Sequence, residues 1–515
     1  MYQIFFDELN TKMYPSTLLH RFGVNGKVSG SVGASGEIAS NVYVMIHGGV
    51  GCAYHYRNSA RRRHEPFFSM LSSDLGQSEI VYGGLEKLEA EARAAWDRYR
   101  PDLLVLVPTP VSDVLSEDLT DIALRMRQEG KRVIAVRSEL FSHRDKNYAK
   151  QRARELAALP IGCCDDLEIE LKGCGFSELL YTVVDQLMEP AEVTCPSVNI
   201  ETVGWGSEGK IVLREIEGFL AECGVKVNTW IPSASVEKLI NAPAASLNIV
   251  KRIHWARLMR ERFGTPYLHI SDTGRYEGLS GICEFYRDIG KKLGMEEVFG
   301  KAIEGKLSGI RERCSSVLEK LSGYGCALIC RGFQAAPFRI MHYSEDCRLK
   351  IKSIIIILND DMRRDVAMTE VMEKQFMDKI YAACEKYAPA ASVKVNPEAD
   401  EMEEILSGCD AVVGTNDFRY EGHGAGLIPD ITDMTGLSFE SYERNLRRLA
   451  ERLGRNREKD ELIINRFTYA PDEFTLLGNS SHTSSKEMWK LMWLEKEAES
   501  CDRQRAACCS EAITP

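Results

Sequence analysis

The sequence lacks several features that would assign it to a broad class at once. It has no run of about 18 or more uncharged apolar residues, so no segment is predicted to be a membrane-spanning helix. Its first residues, MYQIFFDELNTKMYP, contain no basic segment followed by an apolar one, which predicts a cytoplasmic protein without a secretory signal. The net charge of -11 argues against a nucleic-acid-binding protein, because such proteins present a basic face.

Motifs for zinc and for nucleotide phosphates are also missing. No CxxC pair and no HExxH motif occurs, so a zinc site has no support. The glycine-rich segment GWGSEG at 204–209 follows a predicted strand, but it has neither the GxGxxG spacing nor a GK[ST] ending. Sixteen cysteines are present, and in a reducing compartment they indicate buried packing, redox chemistry or metal ligation rather than disulfides.

The 515 residues predict about three domains of α/β class. Short apolar runs such as NVYVMIHGG and PDLLVLVPTP alternate with amphipathic helical stretches, which is the pattern of a parallel sheet covered by helices on both faces. This alternation of strands and helices begins again twice further along the chain. We therefore predict three Rossmann-like, doubly wound parallel-sheet domains and a polar loop with a C-terminal helical tail, at 1–197, 198–322, 323–470 and 471–515.

The loop HGGVGC after the first strong strand is the main candidate site. In open parallel sheets, ligands bind at the carboxyl ends of the strands. Gly48, Gly49 and Gly51 let the backbone approach a bulky group, and Cys52 begins the next helix, where amide dipoles stabilise a thiolate. The segment predicts either a metal or cluster ligand or a tight turn with an inert cysteine.

Other candidates are weaker. Several basic residues follow Cys52 and indicate either an exposed helix face or a contact with an anionic partner. They are Arg57, Arg61, Arg62, Arg63 and His64. Cys326 and Cys330 lie four apart in a predicted strand and should both face the core. Cys163 and Cys164 are adjacent, which suits two ligands of one cluster poorly, and His423 is most simply a loop residue.

The order of segments resembles component 1 of nitrogenase and its relatives. HGGVGC, the tyrosine-glycine-glycine turn with its helix in EIVYGGLEKLEAEARAAWDRY, and the strand in PDLLVLVPTP follow that family's pattern, and the second unit from NIETVGWGSEG to SLNIV is similar to its α-type subunits. The resemblance covers about residues 40–440. It implies an oxidoreductase subunit that pairs with a homologous component 1 subunit, in an α2β2-like assembly or a homodimer.

The resemblance further implies electron transfer from an ATP-dependent reductase of the nitrogenase iron protein type. An iron-sulfur cluster shared between the subunits would receive these electrons, and Cys52 matches a ligand of that cluster. The sequence departs from the family pattern at three positions. RFGVNGKVSG contains no cysteine upstream of the loop, Thr109 or Pro110 stands where a second cysteine is expected, and Arg252 falls near the cysteine that anchors the catalytic cofactor of true nitrogenases.

A conventional molybdenum-iron cofactor is therefore not expected. The sequence leaves three functions open: a nitrogenase-like oxidoreductase subunit of unassigned substrate, a non-catalytic scaffold or accessory paralogue, and a protein that binds a small anion or a tetrapyrrole. For the third, the candidate contacts are Arg57, Arg252 and His254. Catalytic residues are not assigned.

Overall fold

The computed structural model describes residues 27–62, 69–137, 175–202, 209–270, 275–331, 336–357, 369–414, 426–427 and 437–453. Within them the chain forms three parallel sheets flanked by helices, as the alternating pattern predicted. The strands of the three sheets lie within 42–135, 197–269 and 325–427, while the predicted domain boundaries themselves stay predictions. The proposed C-terminal helix and GWGSEG, apart from Gly209, lie outside the described residues.

The first sheet has four strands in the order β2-β1-β3-β4, all parallel. β1 and β3 are almost continuously apolar because helices cover both of their faces. The elements are α1 (Lys27–Gly36), β1 (Val42–His47), α2 (Val50–Arg62), β2 (Ser69–Ser72), α3 (Gln77–Tyr82), α4 (Leu85–Tyr99), β3 (Leu103–Pro108), α5 (Pro110–Val114), α6 (Thr120–Gln128) and β4 (Val133–Ala135).

The second sheet also has four parallel strands, in the order β6-β5-β7-β8. The helix α7 (Gly175–Gln186) precedes it and packs against both α1 and α10. The elements that follow are β5 (Ser197–Glu201), α8 (Gly209–Glu222), β6 (Lys226–Ile231), α9 (Val236–Ile240), a 3-10 turn (Ala242–Ala244), β7 (Leu247–Val250), α10 (Ile253–Phe263), β8 (Tyr267–His269), α11 (Gly278–Leu293) and α12 (Glu296–Leu321).

The third sheet has five parallel strands in the order β11-β10-β9-β12-β13. Its elements are β9 (Gly325–Arg331), α13 (Ala336–Met341), a π-helical turn (His342–Asp346), β10 (Lys350–Ile357), α14 (Glu370–Tyr387), β11 (Ser392–Val395), α15 (Ala399–Ser407), β12 (Ala411–Val413), β13 (Gly426–Leu427) and α16 (Phe439–Leu453). Cys326 and Cys330 are both buried in the core beside β10, as the spacing predicted.

Two of the apolar clusters cross from one domain to the next. One apolar cluster joins β1 and β3 of the first domain to α10 of the second, and its centre includes the fully buried Trp255. A second cluster joins β5 and α8 of the second domain to β9 and β10 of the third, through α11, α12 and α16. The second domain therefore packs on both of its neighbours.

No helix in the described part of the chain is both long and apolar enough to cross a membrane.

Candidate functional site

The HGGVGC loop connects β1 to α2 at the carboxyl edge of the first sheet. β1 ends at His47, and α2 begins at Val50, so Cys52 lies in the first helical turn. The Cys52 amide donates to the Gly49 carbonyl over 2.9 Å, and the cysteine is half-buried. A thiol at this place is reachable from outside and lies at the start of a helix.

The three glycines of the loop differ in how much space a side chain would have at each position. A Cβ on Gly48 would lie 2.7 Å from Cγ2 and 2.9 Å from Oγ1 of Thr109, so no larger residue fits there. A Cβ on Gly49 would make an ordinary contact of 3.7 Å with the Leu75 carbonyl, and one on Gly51 would meet no described atom within 4 Å. Gly48 serves close packing within the chain, whereas Gly49 and Gly51 leave open space outside the loop.

Thr109 is, with Pro110, one of the two residues at which the resemblance places a second cysteine. Its side chain is fully buried, its Oγ1 donates to the His47 carbonyl over 2.8 Å, and its amide donates to Ser112 Oγ over 2.9 Å. It also caps the short helix α5. Thr109 therefore holds the loop in place through hydrogen bonds. Its side chain has no sulfur atom that could bind a metal.

A buried polar relay lies beneath the loop. His47 Nε2 is 2.7 Å from Glu117 Oε2, and His47 Nδ1 is 2.9 Å from Ser73 Oγ. The carboxylate accepts from Nε2–H, so Nδ1 accepts the Ser73 hydroxyl proton. The other oxygen of Glu117 accepts a short hydrogen bond from the Gly84 amide. The relay connects four chain segments that surround the loop.

We expect acid to weaken this part of the first domain. Burial lowers the pKa of His47 below its usual 6.5, although the hydrogen bond to Glu117 opposes the shift. A depressed histidine pKa means that the folded state resists protonation, so its stability is full above pH 6.5 and falls as the pH drops from there towards the lowered pKa. Thermal unfolding between about pH 7 and 5 should show this slope. His47→Gln should flatten the slope, and an unchanged slope in that variant would contradict the assignment.

The loop is bordered by an exposed apolar surface, which we call the first-domain patch. Its large side chains come from the starts or ends of α2, α3 and α5, all at the same edge of the sheet. They are Val50, Tyr54, Val81, Tyr82, Val111 and Val114, with Tyr82 exposed over 86% of its surface. Large apolar side chains that are exposed at one edge of a sheet make this edge a candidate for a protein interaction site.

The rest of α2 presents mixed groups. Tyr56 is half-buried one turn after Cys52, and burial together with the nearby Cys52 thiol raises the pKa of its phenol. Arg57 lies on the exposed side of the helix. Arg61 and Arg62 continue the helix backbone, and Arg63 and His64 lie outside the described residues.

The carboxyl edge of the second sheet holds a buried carboxylate. Glu201, the last residue of β5, is fully buried and accepts hydrogen bonds from the amides of Lys251 and Arg252, each over 3.0 Å. It also accepts from Arg252 Nη1 over 2.5 Å and from Trp255 Nε1 over 3.2 Å. The chain's own carboxylate thus occupies the start of α10 and compensates the Arg252 charge.

His254 and Arg252 belong to an aromatic and cationic layer on α7. The His254 ring stacks on the Tyr181 ring with centroids 4.4 Å apart, and the Arg137 guanidinium carbon lies 4.4 Å from the centroid of the same tyrosine ring. Arg252 also lies 5.4 Å from the ring of Phe176. The predicted site residues therefore form two groups: Gly48, Gly49, Gly51, Cys52 and Arg57 at the first edge, and Arg252 with His254 at the second.

No group of three or more His, Cys, Asp or Glu side chains in the described ranges is arranged to hold a metal ion. Cys52 is the cysteine that the described residues place at the first edge, so this part of the chain offers a cluster one sulfur ligand. A cluster held wholly by these residues does not fit. Cys163, Cys164, Cys174 and His423 lie outside the described residues.

The sequence alone did not identify Glu117 and Glu201, the buried carboxylates at the carboxyl edges of the first and second sheets. Glu117 follows the turn in which the family cysteine is expected, and Glu201 is the charged residue at the end of the buried strand SVNIE. A charged residue at the carboxyl end of a buried strand was the available signal, since buried carboxylates need partners.

The chain belongs to the family of nitrogenase component 1 type oxidoreductases, whose family model matches residues 28–420. It is 28% identical over 300 residues to the nitrogenase iron-molybdenum cofactor biosynthesis protein NifE of Methanococcus maripaludis, covering 55% of each chain. It is 25% identical over 394 residues to a subunit of the light-independent protochlorophyllide reductase of Staurastrum punctulatum, covering 74% of this chain and 67% of that one.

The match spans about half the length of the Methanococcus relative. Among solved structures, one titled nitrogenase Cp1 at pH 6.5 superposes with a TM-score of 0.51 at 17% identity, over 83% of this chain and 88% of that one. This likeness confirms the three-sheet component 1 fold.

Proposed function

We propose that this chain is one subunit of a component 1-type oxidoreductase that docks a homologous subunit on the first-domain patch and contributes Cys52 to an iron-sulfur cluster shared across the interface. The observation that carries the proposal is the half-buried Cys52 in the first turn of α2, on an open glycine loop bordered by that patch. Electrons would come from an ATP-dependent reductase of the iron protein type. The substrate is unassigned.

The chain's own groups support one half of such an interface. Gly49 and Gly51 leave room for a bulky group above the loop, and Cys52 lies beside them in the first turn of α2. The His47 relay and Thr109 fix the loop from below. When bound, an iron-sulfur cluster supplies one-electron transfer. The other ligands would come from the partner subunit.

The test is iron and acid-labile sulfide content, with electron paramagnetic resonance, on the protein purified without oxygen alone and with a co-expressed homologous subunit. We expect a cluster in the assembled protein and its loss in Cys52→Ala. Cys195→Ala is the matched control, because Cys195 is also half-buried but precedes β5 at the opposite edge of the second sheet. Equal iron in wild type and Cys52→Ala would contradict the proposal.

Assembly provides a second readout that does not depend on iron. Val81→Asp with Tyr82→Asp should abolish co-purification of the partner, because two charges would be placed in an apolar contact. Val371→Asp is a control at an exposed valine of α14, on a different domain. Partner binding that survives the double substitution would exclude the patch as the interface.

A non-catalytic scaffold or accessory subunit is the second candidate. Two observations favour it: buried Thr109, with Pro110, stands where a second cysteine is expected, and the Glu201–Arg252 pair lies near the expected cofactor-anchoring cysteine. One relative is named a cofactor biosynthesis protein, which fits this role. A complex that forms through the patch but contains no iron in any preparation would support the scaffold and exclude the oxidoreductase.

An anion-binding or tetrapyrrole-binding role has less support. Arg252 is already compensated by Glu201, and His254 is stacked on Tyr181. Stabilisation of the isolated chain by such a ligand, measured by thermal shift, would favour this role over the other two.

A further inference from the structure

A buried cluster of titratable side chains joins the second and third domains. It lies at the π-helical turn His342–Asp346, whose defining hydrogen bond runs from the Cys347 amide to the His342 carbonyl over 3.0 Å. His342, Asp346 and Cys347 are exposed over 2%, 8% and 0% of their surfaces. A single π-helical turn is a rare local structure that frequently accompanies function.

The turn places two partners on the His342 ring. His342 Nδ1 lies 3.3 Å from Asp346 Oδ2, and His342 Nε2 lies 3.7 Å from Cys347 Sγ. The five-residue spacing of a π-turn brings residues 346 and 347 back to the position of residue 342. An imidazole between a carboxylate and a thiol can hold a proton on both of its nitrogens.

The same cluster is the contact between domains. Ser280, in the first turn of α11, donates to Asp346 Oδ1 over 2.9 Å and to Asp346 Oδ2 through its amide over 3.3 Å. Tyr442 of α16 donates a hydrogen bond to the Asp346 carbonyl. A Cβ on Gly278 would lie 1.9 Å from His342 Nδ1, so the start of α11 is packed directly on the ring.

We propose that His342, Asp346 and Cys347 form a protonation-dependent joint, in which the doubly protonated His342 ring fixes the third domain against the start of α11 and loss of its proton loosens this contact. The joint is independent of the first-domain patch and of any cluster. It concerns motion between the second and third domains, which the proposed function leaves unspecified.

Electrostatics agree with this geometry. Burial alone would lower the pKa of His342, but the Cys347 and Asp346 interactions outweigh it and raise that pKa well above 6.5. Other titratable groups near the cluster include Cys283 of α11, Cys326 of β9 and Tyr442 of α16, with Arg348 near Tyr442. The ion pair between Glu277, just before α11, and Arg339 of α13 also flanks it, with 3.4 Å between the charged atoms. Burial raises the pKa of Cys283 to about 11 and that of Cys326 to about 12, and it also raises the pKa of Tyr442.

The pH window follows from these directions. A group whose pKa is raised on folding stabilises the closed contact fully below its unfolded pKa of 6.5, and this stability is lost as the pH rises towards the raised value. The raised pKa values of Cys283, Cys326 and Tyr442 keep these three groups protonated below about pH 8. Between about pH 6.5 and 8, the opening constant of the joint should therefore rise by up to about tenfold per pH unit, the limit for one proton.

Hydrogen exchange measures this opening directly. The full chain is exchanged at several pH values from about 5.5 to 8, rates are corrected for the intrinsic pH dependence, and peptides covering 278–286 and 340–350 are compared. We expect a flat opening constant up to about pH 6.5 and the rise above it in wild type. A flat profile throughout this range would overturn the proposal without any variant.

Variants separate the proton from general packing. His342→Asn should raise the opening constant on the order of a hundredfold and remove its pH dependence, since a buried charged partner is lost. Asp346→Asn keeps the histidine but removes a group that raises its pKa, so the rise should still begin near pH 6.5 but end at a lower pH and be smaller in total. This variant tests the joint even if the first variant folds poorly. Ser344→Ala is the control, because the Ser344 hydroxyl in the same turn has no hydrogen-bond partner among the described residues. A wild-type slope in His342→Asn would overturn the proposal.

Discussion

Replacing Glu201 by alanine should destabilise the protein by about 3–5 kcal/mol, because it leaves the partly buried guanidinium of Arg252 without its carboxylate. Two backbone amides at the start of α10 and the buried Trp255 indole also lose their acceptor. The measurement is urea unfolding followed by tryptophan fluorescence and circular dichroism.

The control for Glu201→Ala is an ion pair on the surface. Arg132 and Glu237 lie 2.6 Å apart, with side chains exposed over 43% and 64%. Glu237→Ala should cost only about 0–1 kcal/mol, because solvent screens such a pair. Similar losses in the two variants would mean that burial at Glu201 contributes little, which would contradict the expectation.

Gly30→Ala should destabilise the first domain by about 1–3 kcal/mol, the usual range for overpacking. Gly30 lies where α1 crosses α7, and a Cβ there would be 2.8 Å from the Phe176 amide nitrogen and 2.9 Å from the Gly175 Cα. These are backbone atoms, so the helices must separate. The close crossing also carries a hydrogen bond from Ser31 Oγ to the Gly175 carbonyl over 3.0 Å. Thermal unfolding would measure the loss.

Gly218→Ala is the matched control for the helix crossing. Gly218 lies on the exposed side of α8, and a Cβ there would meet no atom of the described residues within 4 Å. Alanine should therefore raise the unfolding free energy by roughly 0.5–1 kcal/mol through helix propensity alone. If both variants were stabilised, the α1–α7 contact would have to be looser than the structure indicates.

Much of the fold was predictable because buried parallel strands are continuous apolar runs. IKSIIIILND predicted β10, and NVYVMIHGG predicted β1. β2 was missed because SMLS is short and partly polar, and β11 because SVKV alternates as a half-buried strand at the sheet edge does. Residues 278–321 have a long helical pattern but form two helices, α11 and α12, since Gly294 adopts a left-handed conformation between them.

From the sequence, the candidate site could be predicted only for residues whose role depends on their place along the chain, not on distant partners. Cys52 follows a strand and begins a helix, and both facts are readable along the chain. The partners of His47 are 26 and 70 residues away, and the partner of Arg252 is 51 residues away. Pairings at such separations depend on which strands become neighbours, and a single sequence does not state that.

The architecture repeats three times, but the apolar clusters shared between domains mean that the repeats are not independent modules. Trp255 of α10 is buried among side chains of the first domain's cluster, and Cys326 of β9 belongs to the same cluster as Val198 of β5. A fragment cut at either domain boundary would expose half of a continuous apolar core on each piece. The repeats resemble separable building blocks, but because two apolar clusters cross the domain boundaries, dissecting the chain into single domains should yield aggregation-prone fragments.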